Sequence, residues 1–92
     1  MKKWYFTFGL AQYKLSNKYV CIEAESYSKA RELMLRMFGT NWCTDYSEED
    51  WIVKKDSIKW KALVMANKIP ADVLYDAVSL AQVYGLTELK FN

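Results

Sequence analysis

Polar and apolar positions alternate from Lys3 to Phe8, with Trp4, Phe6 and Phe8 facing one way and Tyr5 and Thr7 the other. A period of two in aromatic and β-branched residues predicts a strand, which Gly9 ends. Residues 10–17 (LAQYKLSN) read as a connection, with Ser16-Asn17 suited to a turn. A second alternation, Lys18 to Glu25, places Val20, Ile22 and Ala24 inward and Tyr19, Cys21 and Glu23 outward. The two runs predict an antiparallel hairpin.

The period then changes. After Ser26 or Ser28, either able to cap a helix, Tyr27, Ala30, Leu33, Met34 and Met37 recur at helical spacing as far as Phe38. Glu32 and Arg36 stand four apart in the favourable order, and Gly39 occupies the position where a left-handed residue closes a helix. Asn41 to Tyr46 predicts a short third strand. Ser47, followed by Glu48, Glu49 and Asp50, resembles a capping box, with acids where the helix dipole favours them. Ile58 to Ala66 fits both periods: Trp60, Ala62, Val64 and Ala66 alternate, while Ile58, Ala62 and Met65 fit a helix; the reading favours strand. Pro70 suits the first turn of a helix ending near Tyr84, with Val73, Leu74, Ala77, Val78, Ala81 and Tyr84 on its apolar face. Gly85 closes it, and Leu86 to Phe91 adds a last strand. The expected class is α+β, an antiparallel sheet of ββαβ start with two main helices packed on it.

Composition fits a folded chain. Of 92 residues, 52% are hydrophobic and 16% aromatic, with 3 glycines and 1 proline, the reverse of a disordered bias. That length predicts one domain over residues 1–92, without room for a second independent core. The net charge of +2 is too small to indicate nucleic acid by itself. Its distribution is dipolar: Lys54, Lys55, Lys59, Lys61 and Lys68 oppose Asp56, just after an acidic group of Asp45, Glu48, Glu49 and Asp50. MKKWYFTF lacks the apolar run of a signal peptide, and no stretch approaches a membrane span, so the expected location is the cytoplasm, with Cys21 and Cys43 as reduced thiols.

Catalytic chemistry finds little material. The sequence has no histidine, which removes the commonest general base and metal ligand. Two cysteines do not complete a zinc site, and neither has a histidine to raise its thiolate content. No phosphate-binding glycine loop occurs. The acidic group has oxygen ligands for a divalent cation, yet helix capping accounts for the same residues. The chain is expected to be no enzyme and to need no cofactor or metal. Four tryptophans and seven tyrosines exceed the needs of so small a core, and such side chains suit interfaces and ligand walls.

YFTFGLAQ, then YVCIEAESYSKARELMLRMFG, then NWCTDYSEEDW together resemble a family of small proteins of bacteriophages and prophages in Gram-positive bacteria. The similarity spans Tyr5 to Trp51; residues 52–92 stand as a C-terminal extension. Family members often carry a second glycine where this chain has Leu10-Ala11. The resemblance implies a host-cell setting and, by analogy with anti-CRISPR and other counter-defence proteins, stoichiometric inhibition of a host defence protein. Glu48, Glu49 and Asp50 would then mimic phosphates. A second expectation is a sponge for a nucleotide signal, with Gln12, Arg31, Trp42 and Tyr46 lining the pocket. A third is a nucleic-acid accessory protein using Lys54, Lys55 and Lys59, against which the acidic group counts. An aromatic-rich chain of 92 residues also makes a homodimer a reasonable expectation. Within WYFTFGLAQ, the aromatics are expected to pack and Gly9 to Gln12 to carry any contact.

Overall fold

A computed structural model describes residues 1–9 and 14–90. The fold is α+β. Strands β1 (Lys2–Thr7) and β2 (Lys18–Ala24) form the expected hairpin, with Trp4 opposite Ile22 and Phe6 opposite Val20. Strand β3 (Thr44–Ser47) pairs antiparallel with the other edge of β1. Strand β6 (Thr87–Glu88) adds to β2, but in parallel, so the sheet order is β3-β1-β2-β6 and the sheet is not wholly antiparallel.

Helix α1 (Tyr27–Phe38) starts at Ser26, whose hydroxyl accepts the Lys29 N–H, and Arg36 reaches Glu32 at 2.8 Å. Gly39 has φ +61° and donates its N–H to the Leu35 carbonyl. The stripe that seats the helix is narrower than its periodicity implied. Ala30 and Met34 are fully buried, whereas Tyr27, Leu33 and Met37 remain exposed. Residues Phe6, Phe8, Val20, Ile22 and Ala24 meet this helix from the sheet, with Trp4, Phe38 and Trp42 around them.

The opposite face of the sheet is also covered. Helix α2 (Glu48–Trp51) leads into β4 (Ile52–Lys54), helix α3 (Ile58–Met65), β5 (Ala77–Ser79) and helix α4 (Leu80–Tyr84). Strands β4 and β5 form a separate antiparallel pair. Trp51, Val53, Trp60, Leu63, Ile69, Val78 and Leu80 make a second buried cluster, which Tyr5, Tyr19 and Tyr46 meet from the sheet. The side chains read as outward on β1 and β2 therefore divide between this cluster and solvent.

Three expectations require correction. The run read as a strand from Ile58 to Ala66 is instead helical over Ile58–Met65, with Ala66 as its C-cap. Ser57 caps it by accepting the Trp60 N–H, Asp56 turns the chain at φ +64°, and Trp60 and Leu63 are buried one helical turn apart. Asn67 at φ +60° ends it, a conformation asparagine tolerates. The helix expected over 70–84 is reduced to α4. Ahead of it, residues 70–76 form a turn and extended loop: the Asp76 carbonyl accepts the Lys55 N–H, and pairing with β4 holds 77–79 extended. Helix α4 starts at a reciprocal capping box between Ser79 and Gln82 and ends at Gly85, φ +65°. Finally, β3 begins at Thr44 rather than Asn41. The Cys43 N–H still reaches the Thr7 carbonyl, but residues 41–43 are irregular.

Candidate binding surfaces

Helix α2 is a single turn between two strands. Ser47 Oγ accepts the Asp50 N–H at 3.2 Å, and among the described residues the return bond of a full capping box is absent there. Trp51, 2% exposed, roots the turn in the second cluster, and Glu48, Glu49 and Asp50 stand in solvent. Among the described residues the ion pairs are Lys29–Glu32 and Arg36–Glu32, so none of these three carboxylates is paired with another described residue. The turn is braced from behind: Lys59 Nζ donates to the Asp50 carbonyl at 3.2 Å and lies 5.7 Å over the Tyr46 ring. It forms a ridge between two shallow grooves, about 240 Å³ towards Ser57 and Lys59 and about 320 Å³ towards Lys2 and Lys3. No group of three or more metal-ligating side chains converges among the described residues.

The residues expected to share a nucleotide pocket are divided. Tyr46 pairs with Tyr5 and packs 5.5 Å from Trp51 on the face of the second cluster. Trp42 packs edge-on to Phe6 at 5.1 Å on the α1 face. A strand from Asn41 would put both rings on one side; because β3 starts later, strand alternation does not reach Trp42. Arg31 is exposed on α1, next to the Tyr27 phenol, which donates to Asp45 Oδ2 at 2.9 Å. Burial and the Asp45 carboxylate raise the Tyr27 pKa against the opposing pull of Arg31. Gln12 lies outside the described residues. The indole N–H groups of Trp4 and Trp42 are buried without an acceptor among the described residues.

The surface that sequence reasoning missed lies where the sheet meets the C-terminal layer. Tyr5 and Trp51 stack at 4.6 Å with ring planes 1° apart, and Tyr19 lies 5.0 Å from Trp51. Beside this stack runs an open groove of about 540 Å³, where Lys3, Glu23 and Glu88 bring charge and Cys21 a thiol. The available signal was tyrosine at outward positions of both strands, too much apolar surface for a face left in water. Burial, reinforced by the neighbouring Cys21, pushes the Tyr5 phenol up to about 12. Burial also raises Tyr19, helped by Glu88, and Tyr46, and it raises the Cys21 thiol although the Tyr5 hydroxyl opposes this.

These shifts predict an alkaline limit. A phenol whose pKa is higher folded than unfolded favours the fold while protonated, so its contribution is complete below about 10 and is lost on passing about 12. Phenolate absorbance and circular dichroism should therefore change together between those values. Ionisation of every tyrosine, Tyr5 included, near 10 with the fold intact would contradict this.

No family model, curated protein or solved structure matches the chain. Among the described residues, no helix is long and apolar enough to cross a membrane.

Proposed function

We propose that the chain is a non-enzymatic, phage-encoded binding protein that inhibits a host defence system by stoichiometric binding to a host protein in the cytoplasm. The phage and counter-defence setting comes from the resemblance of residues 5–51. The binding mode rests on one observation: three adjacent carboxylates, unpaired among the described residues, are presented on a turn whose own conformation is fixed. A rigid acidic ridge loses little conformational freedom on docking, and its field steers it to a basic surface such as a nucleic-acid channel. Ile58, 88% exposed between Ser57 and Lys59 of the adjoining groove, supplies an apolar anchor beside the charges. The lysines invoked for nucleic acid are interleaved with this ridge: Lys54 and Lys59 share the groove with Glu49 and Asp50, which opposes phosphate there.

Affinity capture from a Gram-positive host lysate, followed by mass spectrometry, should return one specific protein. The triple variant Glu48→Lys, Glu49→Lys, Asp50→Lys should weaken that capture by about tenfold or more with an unchanged circular dichroism spectrum. Undiminished capture by the folded variant would remove the acidic ridge from the mechanism. Failure to capture any specific protein would remove stoichiometric protein binding itself.

A further inference from the structure

Helix α3 is apolar on more than one side. Six of its eight residues are hydrophobic, yet only Trp60 and Leu63 are buried, and Met65 on its last turn is 85% exposed. A helix hydrophobic all round is normally covered all round. Immediately beyond it, Ile69, Val73, Tyr75, Val78 and Val83 line an apolar groove of about 210 Å³. Leu74, between two of these lining residues, is 91% exposed, and Tyr75 is 62% exposed. An apolar knob thus stands beside an apolar hole that has room for an aliphatic side chain.

The charges at this groove say what covers it. Lys68 lines one wall. Asp72 does not line the groove itself, but it is exposed in the turn between the lining residues Pro70 and Val73 and brings the opposite sign there; among the described residues the two form no ion pair with each other. A uniformly acidic or uniformly basic partner would be repelled by one of them. A second copy turned about a twofold axis satisfies both, because Lys68 of each copy then meets Asp72 of the other.

We infer that the α3 end, the 70–76 loop and α4 form a self-complementary surface through which two copies of this chain associate, Leu74 of each entering the groove of the other. The surface shares no residue with the acidic ridge, so a dimer presents two ridges. A standard interface needs about 800 Å² from each partner, a modest part of the 6588 Å² surface of one chain.

Size-exclusion chromatography with light scattering tests this on the full chain, up to concentrations on the order of 100 μM, where contacts of this size are populated. The expected mass is twice that of one chain, falling on dilution. Leu74→Glu, at a position too exposed to affect the fold, should weaken association about tenfold or more. Lys68→Asp and Asp72→Lys should each weaken it, and the double variant should restore it, since the swapped charges again meet across the axis. A chain that stays monomeric, or a dimer indifferent to Leu74→Glu, overturns the proposal. A double variant no tighter than the single ones overturns the twofold pairing.

Discussion

Trp51→Ala is expected to cost about 3–5 kcal/mol and to detach the C-terminal layer while the first half of the chain stays folded. The indole is 2% exposed and meets Tyr5, Tyr19 and Tyr46 at 4.6, 5.0 and 5.5 Å. Its loss removes buried area together with three ring contacts, each worth about 0.5–1.5 kcal/mol beyond area. The layer it holds has little stability of its own. Helices α3 and α4 have eight and five residues, well under the length at which an isolated helix persists. The β4–β5 ladder is a two-stranded pair of three residues a side, marginal in water. Docking on the sheet supplies the difference, and Trp51 is the largest buried side chain in that cluster besides Trp60. Amide hydrogen exchange should show protection lost from about residue 52 to β6 and retained in β1, β2 and α1. Uniform loss of protection would mean that the two layers unfold as one unit.

That division explains which parts of the fold were legible in the sequence. The β1–β2 hairpin and α1 were readable because each has one face buried far more completely than the other, so a single period dominates: Phe6, Val20 and Ile22 on the strands, Ala30 and Met34 on the helix. The C-terminal half lacks that contrast. Over Ile58–Ala66 apolar residues fall on every side, so both periods fit, and the local cap at Ser57 decided the outcome. Over 70–84 the apolar spacing fits a helix, but the decisive contacts are distant in sequence: Lys55 to Asp76, and β4 to β5. The candidate surfaces divide in the same way. The acidic ridge was visible because a cap and its charges are adjacent in the chain. The Tyr5–Trp51 stack was not, because its two rings come from opposite ends of the first half and meet only once α2 folds over the sheet.

Phe6→Ala is expected to cost about 3–5 kcal/mol as well, but with a different consequence. Phe6 is completely buried at the centre of the α1-side cluster, edge-on to Trp42, and its strand is hydrogen-bonded on both sides, to β2 and to β3. The cavity opens in an interior strand that both layers share: Tyr5, its chain neighbour, carries the Trp51 stack on the other face. Loosening β1 therefore weakens the seat of α1 and the seat of the C-terminal layer together. For a domain whose whole stability is on the order of 5–15 kcal/mol, such a loss brings global unfolding close to ambient conditions. Chemical denaturation should give one transition at a lower midpoint, with Trp fluorescence and far-ultraviolet circular dichroism superimposed. In Trp51→Ala the same two probes should separate, because one layer leaves before the other. If the probes separate in Phe6→Ala and coincide in Trp51→Ala, β1 is not the element that couples the two faces, and the stability of the sheet must reside in the C-terminal layer.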